Sequence, residues 1–152
     1  MRKRPSNKQS GAALVEFALV ASILILLLAG TYEFGRAFAF YDALSKGTRD
    51  AARYMSVAKK ASINSSSVSN AKDIVVAAAN AAKVPNFARS NVVITCLDAT
   101  YNDSNCVDGT APGGVRVEIS GYAVNIGQTI PLIGKSVRVI SLTPHTTMRY
   151  MM

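Results

Sequence analysis

Tryptophan is absent, histidine occurs once, cysteine twice, and only 17% of the 152 residues are charged. These shortages remove whole classes of chemistry. With His145 alone, beside Pro144, neither a metal site built on paired histidines nor a Ser-His-Asp triad has enough members. Gly134-Lys135-Ser136 lacks the glycine that a phosphate-binding loop needs five positions earlier, where Thr129 stands. Asp98, Asp103, Asn105 and Asp108 offer oxygens that suit calcium, but their spacing departs from the EF-hand loop, and a solvated polar turn accounts for them. The reading is therefore of a non-enzyme, with no catalytic residue, no metal and no cofactor expected.

Acidic residues are also scarce, 9 against 17 basic, for a formal net charge of +8. Arg2, Lys3, Arg4 and Lys8 supply half of that excess within the first ten positions. The remainder is ordinary for a small domain, and no Lys/Arg run with interleaved aromatics occurs, which argues against a nucleic-acid partner.

Hydrophobic residues make up 49% of the chain and are concentrated near the N-terminus. From Ala12 to Tyr32 every residue is apolar or small except Glu16, Ser22 and Thr31. At about 1.5 Å rise per residue this stretch covers the ~30 Å hydrocarbon layer. Four cations and no acid precede it, so the N-terminal tail is expected in the cytoplasm and the C-terminal portion exported. A cleaved signal peptide fits less well: Glu16 would lie inside its apolar region, and Leu27-Leu28-Ala29 has a small residue at only one of the two required positions. A lipoprotein signal fails, because Thr31 stands where the lipidated cysteine belongs.

A carboxylate in a membrane helix costs roughly 3 kcal/mol or more, so Glu16 requires a partner or a function. Behind the short basic leader, Gly11-Ala12-Ala13-Leu14-Val15-Glu16-Phe17 resembles the site cut by prepilin peptidases, with Gly11 last in the leader and the acid fifth in the mature chain. The stretch Gly11 to Arg53, with Glu33-Phe34-Gly35-Arg36 and Ala51-Ala52-Arg53, is similar to TadE-like proteins of the tight-adherence (Flp-type, type IVb) pilus system. Ser141 to Met148 resembles the family only loosely. The resemblance implies a minor pseudopilin cut between Gly11 and Ala12 by a dedicated inner-membrane peptidase and needed to assemble an adhesive pilus. Other pilus or pseudopilin subunits would be its partners. Glu16, followed by Phe17, would mark the subunit-pairing position. Cleavage would create an amine on Ala12, which a neighbour's Glu16 can pair with, fixing the stagger between subunits more than adding stability. The plain alternative is an unprocessed anchor, with Glu16 snorkelling or protonated, that carries an envelope binding module or adhesin.

Beyond Tyr32 no helix breaker occurs before Ser62, and Phe34, Phe38, Tyr41, Leu44, Ala51 or Ala52, and Met55 recur at spacings of three and four. This predicts an amphipathic continuation of the membrane helix, about 70 Å long over Ala12 to Val57 if unbroken. Gly30, Gly35 and Gly47 are possible bends, and Asp42, Lys46 and Asp50 mark a solvated face. Ser62 to Ser69 reads as a loop with Ser69 as N-cap, and Asn70 to Val84 as a helix facing the following sheet through Ile74, Ala77, Ala78 and Ala81.

After Pro85 the period changes to two. Asn91 to Leu97, Val115 to Ala123, Ser136 to Leu142 and Thr146 to Tyr150 read as strands, with a turn at Gly113-Gly114 and a loop over Gly127 to Gly134. The fold class is α+β: a long transmembrane and stalk helix, a second helix and a small antiparallel sheet of three to four strands, as in pilins. The expected organisation is a leader over 1–11, a transmembrane helix over 12–32, a stalk helix over 33–61 and an exported domain over 62–152. The expected location is a bacterial inner membrane, single-pass, with the exported domain periplasmic or, if incorporated in the pilus, extracellular. In that compartment Cys96 and Cys106 are expected to pair as a disulfide, two reduced buried thiols being the alternative.

Overall fold

A computed structural model describes residues 9–127 and 138–151. Helix α1 runs from Gln9 to Ser56 without a break. Its composition explains this: alanine and leucine dominate, no proline interrupts, and the β-branched residues lie in an apolar run that shields backbone hydrogen bonds. Gly30 and Gly35 lie within the helix without ending it. Helix α2 spans Val68–Ala81. Six strands follow: β1 Val92–Leu97, β2 Asp103–Ser104, β3 Gly114–Ile119, β4 Ala123–Ile126, β5 Arg138–Ser141 and β6 His145–Arg149. The architecture is α+β, with one four-stranded sheet ordered β2-β1-β3-β6 and a separate antiparallel pair of β4 and β5.

The main sheet is antiparallel throughout. Val92 of β1 lies opposite Ile119 of β3, and Val115 of β3 opposite Met148 of β6. Period-two alternation sends Val115, Val117 and Ile119 into the core, where they meet Phe40, Leu44, Ala51, Ala52 and Met55 of α1. The core therefore sits between the upper half of α1, the sheet and α2.

Helix α2 packs mainly on α1 and only lightly on β1, rather than on the sheet as expected. Its buried stripe is Ala71, Val75 and Ala79, with Ala77 and Ala81 exposed, one register away from the sequence reading. Small residues decide this arrangement. A Cβ built on Gly47 would stand 3.0 Å from Ala78 Cβ and 3.4 Å from Val75 Cα, so the glycine serves close helix approach rather than a bend.

Other expectations require correction. The segment 62–69 is not a loop: a 3₁₀ turn at Lys60–Ser62 and a π turn at Ile63–Ser67 lead directly into α2, and Ser67 rather than Ser69 stands at the N-cap, without a side-chain cap bond. Asp108, from a distant loop, caps the π turn instead, its Oδ1 accepting the Asn64 and Ser65 N–H groups at 2.7 and 3.2 Å. The strand read through Ala123 ends at Ile119, because Gly121 takes φ +66° and redirects the chain into β4 of the other sheet. Residues 89–91 form a 3₁₀ turn before β1. The loop expected over Gly127 to Gly134 and the beginning of the strand from Ser136 lie outside the described residues, as does most of the leader.

Candidate functional site

The membrane segment is the first candidate. Gly11 through Leu28 of α1 is exposed or nearly so along its whole length, and a helix of this length and apolarity is long enough to cross a membrane. Two of its three polar side chains are satisfied by the helix itself. The Ser22 hydroxyl donates to the Leu19 carbonyl at 2.8 Å and the Thr31 hydroxyl to the Leu27 carbonyl at 2.9 Å. Such back-bonding is what lets hydroxyls reside in lipid. Glu16 differs: among the described residues it has neither a hydrogen bond nor an ion pair, and it is exposed, as are Gly11, Ala12 and Phe17.

Ala12 and Glu16 stand four residues apart, hence on one face of α1 and one turn apart along it. Nothing lies within 4 Å of a Cβ added at Gly11. Each of the four motif residues is thus accessible on α1, with Ala12 and Glu16 sharing one face. Cys96 and Cys106 are at the other end of the molecule.

At the junction of span and domain lies a second polar feature, Glu33 and Arg36. Glu33 is 1% exposed, and one guanidinium nitrogen of Arg36 donates to its Oε2 at 3.0 Å. Glu33 Oε1 and Arg36 Nε are buried with no hydrogen-bond partner among the described residues. The guanidinium also lies 5.9 Å from the centroid of Phe40, within cation-π range. In the sequence these residues were noticed only as part of a family-like stretch; an acid followed at i+3 by arginine at the end of an apolar run was the signal for a buried pair.

The far end of the domain is built around the cysteines. Cys96, on β1, is joined by a disulfide to Cys106, with Cα atoms 5.0 Å apart. Closing a ten-residue separation stabilises the domain by about 2–3 kcal/mol on the chain-entropy account. The loop it ties down is ordered by its own carboxylates. Asp98 Oδ1 accepts from the Thr100 hydroxyl at 2.6 Å and from the Thr100 and Asn102 N–H groups at 2.8 and 3.0 Å. These donors, the Thr100 hydroxyl foremost, hold the pKa of Asp98 below the usual carboxylate value. Asp103 pairs with Arg116 at 2.9 Å, and Asp108 is lowered chiefly by the Asn64 N–H. The three aspartates considered for calcium therefore serve three separate partners within the chain.

Tyr122 is the remaining perturbed group. Its hydroxyl donates to the Pro85 carbonyl at 2.8 Å, its ring meets Phe87 edge-on at 5.2 Å between centroids, and burial pushes its ionisation upward. These contacts anchor the segment after α2 to the sheet and are structural in character.

Set beside known proteins, residues 11–53 match the family model described as TadE-like protein. The match begins at Gly11, includes Glu16 and the Glu33–Arg36 pair, and stops three residues before α1 ends. It covers the helix and leaves α2 and both sheets outside. No curated protein and no solved structure matches the chain.

Proposed function

We propose that this chain, TadE-like over residues 11–53 and so tied to the tight-adherence pilus system, is a minor pseudopilin that acts in pilus assembly. Prepilin peptidase removes the leader after Gly11, the α1 segment from Ala12 to Tyr32 holds the protein in the inner membrane with its N-terminus cytoplasmic, and the domain beyond α1 is exported.

One observation carries the reading. Of the polar side chains in the span, Ser22 and Thr31 are satisfied by their own helix, whereas Glu16 has no partner among the described residues. A carboxylate in lipid is costly enough to require one. Cleavage after Gly11 supplies it: the new Ala12 amine of a neighbouring subunit is a cation that an axial stagger of about one helical turn brings level with Glu16, and Glu16, now fifth in the chain, also gains the positive end of its own helix. Because either charge is costly alone, their pairing favours one axial register between subunits.

The test begins with the intact mass of the protein purified from a host that contains the peptidase, expected to lack the first eleven residues. Glu16→Ala is expected to insert and be cleaved as before, since it removes a desolvation cost, yet to lose crosslinking to partner subunits and pilus output. A chain retaining Met1 to Gly11, or a Glu16→Ala variant with undiminished assembly, returns the protein to a plain anchor.

A further inference from the structure

Helix α1 leaves the membrane segment with an apolar face that the domain does not cover. Phe34 and Phe38 are exposed, Phe38 by 72%, and Tyr41 is 46% exposed. Beside them Ile140 and Leu142 complete a cleft of about 270 Å³ lined by Phe34, Ala37, Phe38, Tyr41, Ile140 and Leu142. In water an apolar surface of this kind is a liability unless something covers it.

The charge pattern of α1 indicates what does. After Glu16 the next acid is Glu33, which is buried against Arg36, itself one-third exposed. The first fully exposed charge is Asp42, paired at 2.7 Å with Lys46. Residues 17–41 therefore form a stretch of about 37 Å that presents no freely solvated charge to its surroundings. Counted from Ala12, a hydrocarbon layer of ~30 Å ends near Tyr32, and a headgroup layer of about 5–7 Å reaches the turn that holds Phe34 and Phe38. Tyr32 and Tyr41, both with rings partly or largely exposed, bracket the upper part of this stretch, where amphipathic aromatic rings prefer the boundary between lipid and water.

We propose that the Phe34–Phe38–Tyr41 face, with Ile140 of β5, beds into the headgroup layer of the membrane that α1 crosses, on the side of the exported domain. The occupant of the cleft is lipid. The domain is then held down on the bilayer by a second contact besides the anchor, with the Glu33–Arg36 pair at the boundary between hydrocarbon and headgroups. This inference rests on the membrane-anchoring part of the proposed function and not on processing or on pilus assembly.

The experiment places one added cysteine at a time in the full-length chain, at position 25, 34, 38 or 57, labels it with an environment-sensitive fluorophore, and reconstitutes the protein in phosphatidylcholine vesicles. Cys96 and Cys106 stay closed as a disulfide, so the added thiol takes the label. Lipids spin-labelled near the headgroup are expected to quench Phe34→Cys and Phe38→Cys several-fold more than Val57→Cys, and lipids labelled deep in the acyl chain are expected to quench Ile25→Cys. Quenching at Ile25→Cys with none at Phe34→Cys or Phe38→Cys would overturn the lipid contact and leave the anchor standing. Absence of quenching at Ile25→Cys would overturn the anchor, and the contact with it. Efficient Phe38–Phe38 crosslinking between copies by a short thiol-reactive linker at Phe38→Cys, without quenching, would assign the face to a second subunit instead.

Discussion

The hydroxyl of Tyr150 donates a 2.5 Å hydrogen bond to the carbonyl of Ala58, across 92 residues of sequence. One residue later the Met151 N–H bonds to the Ser56 carbonyl at 2.9 Å. The last four carbonyls of a helix have no partners within it, and here the C-terminal residues of the chain satisfy those just at and beyond the end of α1. The sheet is thereby fastened to the top of the stalk. Tyr150→Phe leaves the Ala58 carbonyl buried and unpaired, so it is expected to destabilise the domain by about 1–3 kcal/mol. Urea unfolding in detergent, followed by near-ultraviolet circular dichroism, measures this; an unchanged midpoint would mean the clasp contributes nothing.

Gly47 lies where α1 and α2 approach most closely. Two effects oppose one another on substitution. Alanine gains about 1 kcal/mol of helix propensity, but its Cβ would stand 3.0 Å from Ala78 Cβ. Valine adds two methyl groups to the same contact and loses the propensity advantage. Gly47→Ala is expected to be within about 1 kcal/mol of the parent and Gly47→Val to be destabilised by about 1–3 kcal/mol. Thermal melts of the two variants side by side check the order.

The α+β class, the uninterrupted α1, the positions of β1 and β6 and the cysteine pair were all legible in the sequence. What was not legible has identifiable causes. Phe34, Phe38 and Tyr41 share the three-and-four spacing of a core stripe, yet the core takes Ala37, Phe40 and Leu44. On a helix that is apolar on several faces, periodicity cannot choose between them. Asp108 as the cap of the turn at Asn64 depends on a contact 44 residues away, beyond any local pattern. The break at Gly121 was hidden because alternation continues through Ala123 on the far side of the turn. At the candidate site, Gly11, Ala12, Glu16 and Phe17 were singled out by their motif and fall within the matched segment 11–53, while the burial of Glu33 depended on tertiary packing.

Asp108 gives a pH dependence of definite sign. Its folded pKa is lowered, first by the Asn64 N–H and then by Ser65. A group depressed in this way contributes stability that is present above the unfolded carboxylate value of about 3.9 and is lost as pH falls through the folded value. Asp98 acts in the same direction. Stability is therefore expected to be flat from neutral pH down to about pH 5 and to fall below it. Asp108→Asn keeps an acceptor oxygen but removes the charge, and should make the acid limb shallower without abolishing it, since Asp98 remains. An acid limb of unchanged steepness in Asp108→Asn, read from urea midpoints at a series of pH values, would assign the dependence to other groups.

The Glu33–Arg36 pair makes an asymmetric prediction. Glu33 is buried at 1% exposure, whereas the Arg36 side chain is one-third exposed. Removing the arginine strands a carboxylate inside the protein, beside the membrane, where breaking a buried pair costs about 3–5 kcal/mol. Removing the acid strands only a guanidinium that can turn outward and keeps its contact with Phe40. Arg36→Met is thus expected to be the more damaging change, and Glu33→Gln, which retains shape and one acceptor, the milder. Because both losses arise from one uncompensated charge, Glu33→Gln combined with Arg36→Met should be less destabilised than Arg36→Met alone. Unfolding midpoints of the three variants decide the matter: additive losses, or a greater loss for Glu33→Gln, would mean that the two side chains act independently and that the carboxylate is not held by its arginine.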